Sequence, residues 1–325
     1  MEYRTPHGTD LAVPRLVLGT MTFGAQVKRE TAAAMVARCR EAGVTMFDTA
    51  NSYGSGVAEQ LLGEVVAPYR DEVLIASKVF NRMGDGPNDC GLRRPAIEKA
   101  LDATLRRLGT DHLDIYYLHA PDRSAPIEEA LAAMAAAVAA GKVRHVGMSN
   151  YAAWQIAEAR CLTGSHDWPA VHLSQPLYNL LSRRVEDEYA EFSEHYAMHN
   201  VVYNPLAGGL LSGKHNDAVR PEAGGRFAGE LGPMYRDRYW NQAQFHAVEA
   251  LRKVAANAGL TLVELAFRWL MGRPLVDSIL LGASRLEQLE ANLAAADGPA
   301  LGPDVLSACD DVWASLRGAA PAYNR

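Results

Sequence analysis

The sequence predicts a (β/α)8 TIM barrel with an N-terminal β-hairpin that caps the barrel bottom and extra helices at the C-terminus. Eight short apolar runs, typical of buried strands, alternate with segments of helical periodicity. Polar or ionisable residues follow these runs, at the end of the barrel where ligands bind. The main alternative is a doubly wound sheet, and its GxGxxG phosphate signature is absent from the sequence.

Composition and charge set the broad class of the protein. The 325 residues are 49% hydrophobic and 22% charged, which is typical of a soluble globular protein with a large core. The formal net charge of -6 argues against nucleic acid or an acidic membrane surface as a partner. We expect a single domain over residues 1–325, without a membrane span, because no apolar run approaches the roughly 18 residues that a spanning helix needs.

The N-terminus and the cysteines bear on location. The first residues, MEYRTPHGTDLAVPRL, lack the basic-then-apolar architecture of a secretory signal. The four cysteines are far apart and form no CxxC pair; they are Cys39, Cys90, Cys161 and Cys309. We therefore expect reduced structural thiols and a cytoplasmic location.

The strands are predicted from short apolar runs bounded by turn residues. Residues 1–14 have the pattern of a small hairpin that turns at His7-Gly8-Thr9-Asp10. Eight predicted barrel strands follow, at residues 16–18, 44–47, 73–76, 113–118, 143–148, 171–173, 201–203 and 278–281.

The helices are predicted from apolar residues at helical spacing between these strands. Pro95, Pro126 and Pro303 stand at helix starts, where the missing N–H of proline costs no hydrogen bond. The predicted helices cover residues 29–42, 57–66, 95–108, 126–140, 151–162, 184–198, 240–258, 261–271, 285–296 and 303–316.

The chemistry of the chain centres on residues 46–63, MFDTANSYGSGVAEQLLG. Asp48 ends a predicted strand, and Tyr53 lies on the loop that leads into the next helix. A strand-capping aspartate and a packed tyrosine would explain this stretch equally well if it stood alone. The ends of the other strands decide between the two interpretations.

Each of the later strands also ends in a polar residue. The third ends at Lys78 and the fourth at His119. A single lysine or histidine in such a place is usually a solvated or structural residue. Four ionisable groups that converge on one barrel mouth favour an active site instead. The remaining strand ends carry Ser149-Asn150, Gln175, Tyr203-Asn204 and Gly282-Ala283-Ser284.

These residue types predict carbonyl reduction. A nearby lysine ammonium favours the tyrosine phenolate and lowers the tyrosine pKa from about 10. An aspartate that pairs with the lysine keeps that cation charged, and a histidine can orient a substrate oxygen by a hydrogen bond. No side chain can donate a hydride, so the chemistry requires a cofactor.

Two other motifs are weaker. Residues 208–214 have the GxxxxGK spacing of a phosphate-binding P-loop, but His215 stands where a P-loop has Ser or Thr. Backbone N–H groups of this loop remain suited to phosphates in another context. We expect no metal site, because no HxxxH or HExxH spacing occurs outside the pair His195 and His199 on a predicted surface helix.

The chain resembles an aldo-keto reductase over nearly its whole length. The motifs are FDTANSYG, ASK, YLHAPD, VGMSNY, SQPLYN, YNPLAGGLLSGK and GASRLEQLEANL. The passages MSNYAAW, GRF, MYRDRYW and PAYNR resemble the aflatoxin-aldehyde and succinic-semialdehyde reductase branch. The resemblance implies a (β/α)8 barrel that binds an extended nicotinamide cofactor without a Rossmann domain.

The resemblance also implies residue roles. Tyr53 would be the general acid, with Asp48, Lys78 and His119 completing a catalytic tetrad. Ser149, Asn150 and Gln175 would bind the nicotinamide carboxamide, and Tyr203 would stack on the ring. The other implied cofactor contacts are Asn204, Leu206, Gly208 and Lys214 on the loop over the pyrophosphate, and Gly282, Ser284, Arg285, Gln288 and Asn292 around the adenosine 2′-phosphate and adenine.

The chain departs from the family pattern at several positions. Gly282 and Gln288 stand where relatives often have a cation near the 2′-phosphate, which leaves Arg285 for NADPH. Ala291 replaces an acid that often contacts adenine. Asn51 and Ser52 replace bulkier apolar residues and imply a more polar substrate pocket. Carboxylate-bearing aldehydes, which the branch favours, would be bound by arginines; the candidates are Arg226, Arg236, Arg238 and Arg325.

The predicted function is therefore NADPH-dependent reduction of a small-molecule aldehyde or ketone. A ketoreductase of sugar or secondary metabolism is an alternative that Asn51 and Ser52 favour. A cofactor-sensing regulatory protein, similar to the β-subunits of potassium channels, is another alternative that the tetrad does not exclude. Analogy with the branch implies a homodimer.

Overall fold

The computed structural model describes residues 1–215, 226–229 and 232–319. The chain divides into two compact units, and each is described by itself. The first comprises Met1–Pro176, Glu191–Val201 and Asp277–Glu290, and the second comprises Leu177–Ala190, Val202–Val276 and Ala291–Arg325.

Eight parallel strands close into a barrel, which confirms the predicted fold class. They run in the order β10-β3-β4-β5-β6-β7-β8-β9. Gly19 pairs with Asp48, and Asp48 with Ala76, so neighbouring strands end at the same edge. The strands are β3 Leu16–Gly19, β4 Met46–Asp48, β5 Leu74–Val79, β6 Leu113–Leu118, β7 Val143–Ser149, β8 Leu173–Gln175, β9 His199–Val202 and β10 Ser278–Gly282.

A hairpin caps the opposite end of the barrel, as predicted. Strands β1, Tyr3–Arg4, and β2, Val13–Pro14, pair antiparallel. Leu11 and Val13 are buried in one apolar cluster with interior residues of the barrel strands. The carbonyl of Pro14 accepts a hydrogen bond from Ser278 at the start of β10, at 2.7 Å. The hairpin therefore covers the amino-terminal ends of the strands and leaves the carboxyl ends for chemistry.

Helices alternate with the strands and continue at the C-terminus. Their ends carry ordinary local signals: Thr261 and Glu264 form a capping box, and Gly109 ends one helix in a left-handed conformation. The helices are α1 Arg29–Glu41, α2 Val57–Val66, α3 Arg94–Leu108, α4 Ile127–Ala139, α5 Ala153–Ser165, α6 Tyr189–His195, α7 Gly232–Tyr239, α8 Gln242–Asn257, α9 Leu262–Met271, α10 Leu286–Ala296 and α11 Pro303–Arg317.

The described helices also bear on the question of a membrane span. Among them, no single helix is long and apolar enough to cross a membrane. The consecutive helices α8 and α9, bent by 87° at their junction, pass the test of length and composition only when they are taken together.

The helix predicted over residues 184–198 exists, but it is shorter than predicted at both ends. The segment contains a 3-10 turn at Arg184–Glu186 and the short helix α6, and the chain then enters β9 at His199. Ala197 takes a positive φ of 49°, which ends the helical path. The polar residues His199 and Asn200 concealed the start of this strand, yet both are buried. Tertiary partners make this possible, because the Asn200 N–H donates to Asp277 and its side chain donates to Ser193.

Candidate active site

Asp48 is the centre of a buried polar cluster at the carboxyl edge of the barrel. It ends β4 and is fully buried. One carboxylate oxygen, Oδ1, accepts a hydrogen bond from Lys78 Nζ. The other oxygen, Oδ2, accepts from Gln175 Nε2 at 2.9 Å. Both oxygens of this buried carboxylate are therefore satisfied, as burial of a charge requires.

Lys78 places a cation beside the tyrosine. It lies on β5 with 0% of its side chain exposed, and it also donates to the carbonyl of Thr49 at 2.8 Å. Its Nζ is 5.2 Å from the centre of the Tyr53 ring. Burial disfavours the ammonium, but the electrostatic and hydrogen-bond interactions with Asp48 and Tyr53 outweigh burial and raise the pKa of Lys78. The lysine is therefore held in its charged form.

A tight turn presents Tyr53 to the barrel mouth. The 3-10 turn Tyr53–Gly56 precedes α2, and the Tyr53 N–H donates to the Ala50 carbonyl at 3.1 Å. Gly54, Ser55 and Gly56 all have positive φ values, of 55°, 53° and 95°. Glycine adopts a positive φ without a steric penalty, so Gly54 and Gly56 take up the turn conformation without strain. The ring of Tyr53 lies edge-on to that of His119, with centroids 6.1 Å apart.

His119 follows β6 and is held through its backbone. Its N–H donates to the Val79 carbonyl at 3.0 Å, and its carbonyl accepts from Asn150 Nδ2 at 2.8 Å. Burial and the neighbouring Lys78 ammonium lower the pKa of His119 to about 3. The imidazole is therefore neutral at ordinary pH and keeps one ring N–H that can donate to an oxygen.

The three residues predicted to bind a carboxamide lie together in the first unit. Ser149 ends β7, and its Oγ donates to the Gln175 carbonyl at 2.9 Å. Asn150 takes a left-handed φ of 65° and also contacts Ser149 Oγ, at 3.1 Å. Gln175 ends β8 and reaches Asp48 across the barrel. These contacts connect the predicted cofactor residues directly to the tetrad.

The predicted loop residues lie in the second unit. Asn204 has a φ of 63°; its Oδ1 accepts from the Gly208 N–H at 2.6 Å, and its Nδ2 donates to the Tyr239 hydroxyl at 2.9 Å. A side chain at Gly208 would place its Cβ 2.7 Å from the Tyr235 ring. Leu206 is half-buried and Lys214 is exposed. The loop is thus shaped by Asn204 and by Gly208, where a larger residue would be strained and would displace the Tyr235 ring.

Tyr203 is packed within the second unit as well. Burial raises the pKa of its hydroxyl to about 12, although the nearby Arg238 guanidinium acts in the opposite direction. The hydroxyl is therefore neutral at ordinary pH.

The residues after β10 form a helix start. Gln288 Oε1 accepts from both the N–H and the hydroxyl of Ser284, each at 3.0 Å. Gly282 and Arg285 are exposed, whereas Asn292 on α10 is buried. Arg285 therefore presents its guanidinium to solvent at the amino-terminal end of a helix, where anions are favoured.

The predicted substrate residues have different surroundings. Asn51 is 2% exposed, and its Oδ1 has no hydrogen-bond partner among the described residues. Ser52 is half-buried and accepts from Asn81 Nδ2 at 3.2 Å. In the second unit, Arg226 donates to the Tyr235 hydroxyl at 3.4 Å, Arg236 donates to the Phe227 carbonyl, and Arg238 bonds Tyr203. Arg325 lies outside the described residues.

Sequence reasoning assigned no site role to two residues in these clusters, although Tyr239 lies within the MYRDRYW passage. Asn81, two positions beyond β5, contacts both Ser52 and His119. Tyr239 receives hydrogen bonds from Asn204 and from Asn179, the latter at 3.1 Å. Neither residue stands at a strand end, so neither is selected by the rule that ligand-binding residues follow the carboxyl ends of barrel strands. Within the described ranges, no group of three His, Cys, Asp or Glu residues is placed to hold a metal ion.

Comparison with known proteins identifies the family. The model of the Aldo/keto reductase family matches residues 15–314, which is most of the chain. The chain belongs to the aldo/keto reductase family. The predicted resemblance is thereby confirmed, and this aldo/keto reductase is an NAD(P)H-dependent oxidoreductase of a family that reduces carbonyl compounds.

Its relatives cover several activities. It is 34% identical to human "Aflatoxin B1 aldehyde reductase member 4", over 96% of this chain and 97% of the relative. It is also 34% identical to rice "Probable voltage-gated potassium channel subunit beta", over 96% of each chain. It is 32% identical to "L-glyceraldehyde 3-phosphate reductase" of Escherichia coli O157:H7, over 95% of this chain and 92% of the relative. Family membership therefore leaves the substrate open.

Proposed function

We propose that this aldo/keto reductase uses NADPH to reduce an aldehyde or ketone to the alcohol, with Tyr53 as the proton donor. The observation that carries the proposal is the fully buried Lys78 ammonium, which is paired with Asp48 and lies 5.2 Å from the Tyr53 ring. A cation in this position stabilises the phenolate that remains when the tyrosine proton moves to the carbonyl oxygen. Without Asp48, burial would disfavour the cation that the tyrosine needs.

His119 completes the polar groups around the carbonyl oxygen. With its pKa lowered to about 3, the imidazole is neutral and can donate one hydrogen bond. The proposed roles are therefore distinct: His119 orients and polarises the oxygen, and Tyr53 delivers the proton.

The residues beside the tetrad fit a nicotinamide. Ser149, Asn150 and Gln175 offer a hydroxyl and two amides, which carry both the donors and the acceptors that a carboxamide requires. The bound cofactor would supply the hydride that no side chain provides. In the second unit, taken by itself, Tyr203, Asn204, Leu206, Gly208 and Lys214 remain predicted contacts of the cofactor. The predicted cofactor contacts around β10 and α10 are Gly282, Ser284, Gln288 and Asn292.

The substitution Tyr53→Phe tests the proton donor. We expect it to lower kcat by at least about 100-fold, the usual share of acid catalysis, and to leave the Kd for NADPH unchanged. Tyr151→Phe is the matched control, because the Tyr151 hydroxyl donates to the Ala120 carbonyl near the same barrel edge. A Tyr53→Phe variant as active as the control would exclude Tyr53 as the donor.

The choice of NADPH over NADH rests on Arg285. Its exposed guanidinium suits a 2′-phosphate, which NADH lacks. Following cofactor absorbance with 4-nitrobenzaldehyde and with succinic semialdehyde, for NADPH and NADH side by side, tests this choice. Equal kcat/KM values for the two cofactors would contradict it.

The substrate is proposed at the level of chemical class. Carboxylate-bearing aldehydes would require a free arginine, and Arg226, Arg236 and Arg238 already form hydrogen bonds within the second unit. The remaining candidate is Arg325. If it binds the substrate carboxylate, Arg325→Ala should raise KM for succinic semialdehyde more than for a neutral aromatic aldehyde. Equal effects would favour the alternative of a polar, sugar-like carbonyl, which Ser52 and the E. coli relative support.

A cofactor-sensing regulatory subunit is the second candidate, and the rice relative favours it. A broad panel of carbonyl compounds separates the two functions. Tight NADPH binding without turnover on any member of the panel would support the sensor. The homodimer remains a prediction of the family resemblance, and the cytoplasmic location remains a prediction from the N-terminal sequence and the scattered cysteines.

A further inference from the structure

Asn81 connects two loops of the candidate active site. Its side-chain nitrogen, Nδ2, lies 3.2 Å from Ser52 Oγ and 3.3 Å from His119 Nδ1. Ser52 is the neighbour of Tyr53 in sequence, so one amide group joins the loop of the proton donor to the histidine. A primary amide nitrogen carries two hydrogens, one for each of these contacts.

The chain around Asn81 is held by several hydrogen bonds. The preceding residue, Phe80, accepts from the Gly91 N–H at 2.7 Å, and Met83 donates its N–H to the Asp89 carbonyl at the same distance. The Asp89 carboxylate accepts from the Gly86 N–H at 2.8 Å and pairs with Lys99 at 2.6 Å. Although the Asn81 side chain is exposed, the chain on both sides of this residue is therefore held by hydrogen bonds.

The contact with Asn81 has a chemical consequence for the imidazole. A neutral histidine has one ring N–H and one unprotonated nitrogen, and its hydrogen-bond partner determines which nitrogen carries the proton. An N–H donated to Nδ1 requires that Nδ1 is unprotonated. The single proton then resides on Nε2, which makes no hydrogen bond to the described residues. This tautomer directs the only donor of the ring away from Asn81.

We propose that Asn81 is a positioning residue that holds His119 in the Nε2–H tautomer and sets its spacing from the Tyr53 loop. The inference rests on the proposed function, because it gives His119 the task of donating to the carbonyl oxygen. In this proposal a residue outside the tetrad, Asn81, determines whether His119 carries its proton on Nε2, where it can donate to the carbonyl oxygen. Asn81 acts through His119 and Ser52 and touches no reacting atom in this assignment.

Nitrogen NMR of the imidazole tests the tautomer without any turnover. In the 15N-histidine-labelled protein near pH 7, we expect His119 to show an unprotonated Nδ1 and a protonated Nε2. The His119 signals are assigned by their loss in His119→Gln. Asn81→Asp has nearly the same shape but only acceptors, so it should move the ring proton to Nδ1. Asn88→Ala, at an exposed asparagine of the same loop, should leave the signals unchanged.

Kinetics then separate positioning from substrate binding. Asn81→Ala should lower kcat by at least about 10-fold, because misplacement of a catalytic group costs up to about 100-fold. The Kd for NADPH should not change. A protonated Nδ1 in the parent protein would overturn the proposal, as would an Asn81→Ala variant with unchanged 15N signals and a raised carbonyl KM.

The two proposals fail in different ways. If the protein reduces no carbonyl compound, the NMR result still decides whether Asn81 sets the tautomer. If Tyr53→Phe is inactive while Asn81→Asp leaves the ring proton on Nε2, the proposed function stands and the role of Asn81 is refuted.

Discussion

Gln175 donates its side-chain amide to Asp48 across the interior of the barrel, at 2.9 Å. The two residues end strands β8 and β4, which lie four positions apart in the closed order of eight and hence face each other. Gln175 and Lys78 together satisfy both oxygens of the buried carboxylate. A residue predicted to contact the cofactor is thus also a direct partner of the tetrad.

Gln175→Met should destabilise the fold. The substitution keeps the approximate shape and leaves Asp48 Oδ2 without its donor, at a cost of about 1–3 kcal/mol in the free energy of unfolding. Urea denaturation measures the change. Gln60→Met is the control, because the exposed Gln60 donates a hydrogen bond to the neighbouring surface residue Glu64, at 3.3 Å. Equal stabilities of the two variants would contradict the prediction.

The Lys78–Asp48 pair should show strong coupling. Lys78→Met leaves a buried carboxylate without its cation and should lower the free energy of unfolding by about 3–5 kcal/mol. The double variant Asp48→Asn/Lys78→Met should lose less than the sum of the losses of the two single variants. A double-mutant cycle from denaturation curves measures the coupling. Additive costs would show that the two groups act independently.

Gly147→Ala should strain the barrel wall. A Cβ at this position on β7 would lie 2.3 Å from Cε1 of the buried Tyr117, so the ring or the strand must move. We expect a loss of about 1–3 kcal/mol, typical of an overpacked core. Gly164→Ala in α5, with nothing within 4 Å of its Cβ, should instead stabilise by about 0.5–1 kcal/mol. Similar effects of the two changes on Tm would refute this argument.

Stability should fall as the pH drops from about 6.5 towards 4. Burial, together with the charges of Arg4 and Arg15, lowers the pKa of His199 to about 4 and outweighs the opposing charge of Asp277. The unfolded chain therefore binds a proton in this window before the folded protein does, and proton binding favours unfolding. Above pH 6.5 the effect vanishes.

Thermal melts across this pH range measure the slope. His199→Gln should reduce the dependence of Tm on pH, while His119, with a pKa of about 3, and His172, with a pKa of about 4, continue to contribute. His195→Gln, at an exposed histidine, is the control. An unchanged slope in His199→Gln would contradict the prediction.

Arg285→Ala should weaken NADPH selectively. Loss of a guanidinium beside a phosphate removes a charge-assisted hydrogen bond and should raise the KM for NADPH by about 10-fold or more, with little change for NADH. Arg29→Ala, at an exposed arginine that pairs with Glu64, controls for the change in net charge. A parallel rise for both cofactors would exclude recognition of the 2′-phosphate by Arg285.

The barrel and the positions of the predicted tetrad follow from the order of residues along the chain. Eight strand-helix repeats without a GxGxxG signature favour the barrel, and the rule that ligands meet the carboxyl ends of strands selects Asp48, Lys78 and His119. These features are local: an apolar run, the polar residue that ends it and the turn that follows.

The contacts between polar groups, in contrast, become visible only in the folded structure. Gln175 and Asp48 are 127 residues apart, and Asn81 and His119 are 38 apart, so no local pattern encodes either contact. The start of β9 at His199 was missed for the same reason, since buried polar residues in a strand depend on partners such as Asp277 and Ser193. Closure of the barrel brings these distant donors and acceptors together, and their hydrogen bonds then offset the cost of burial.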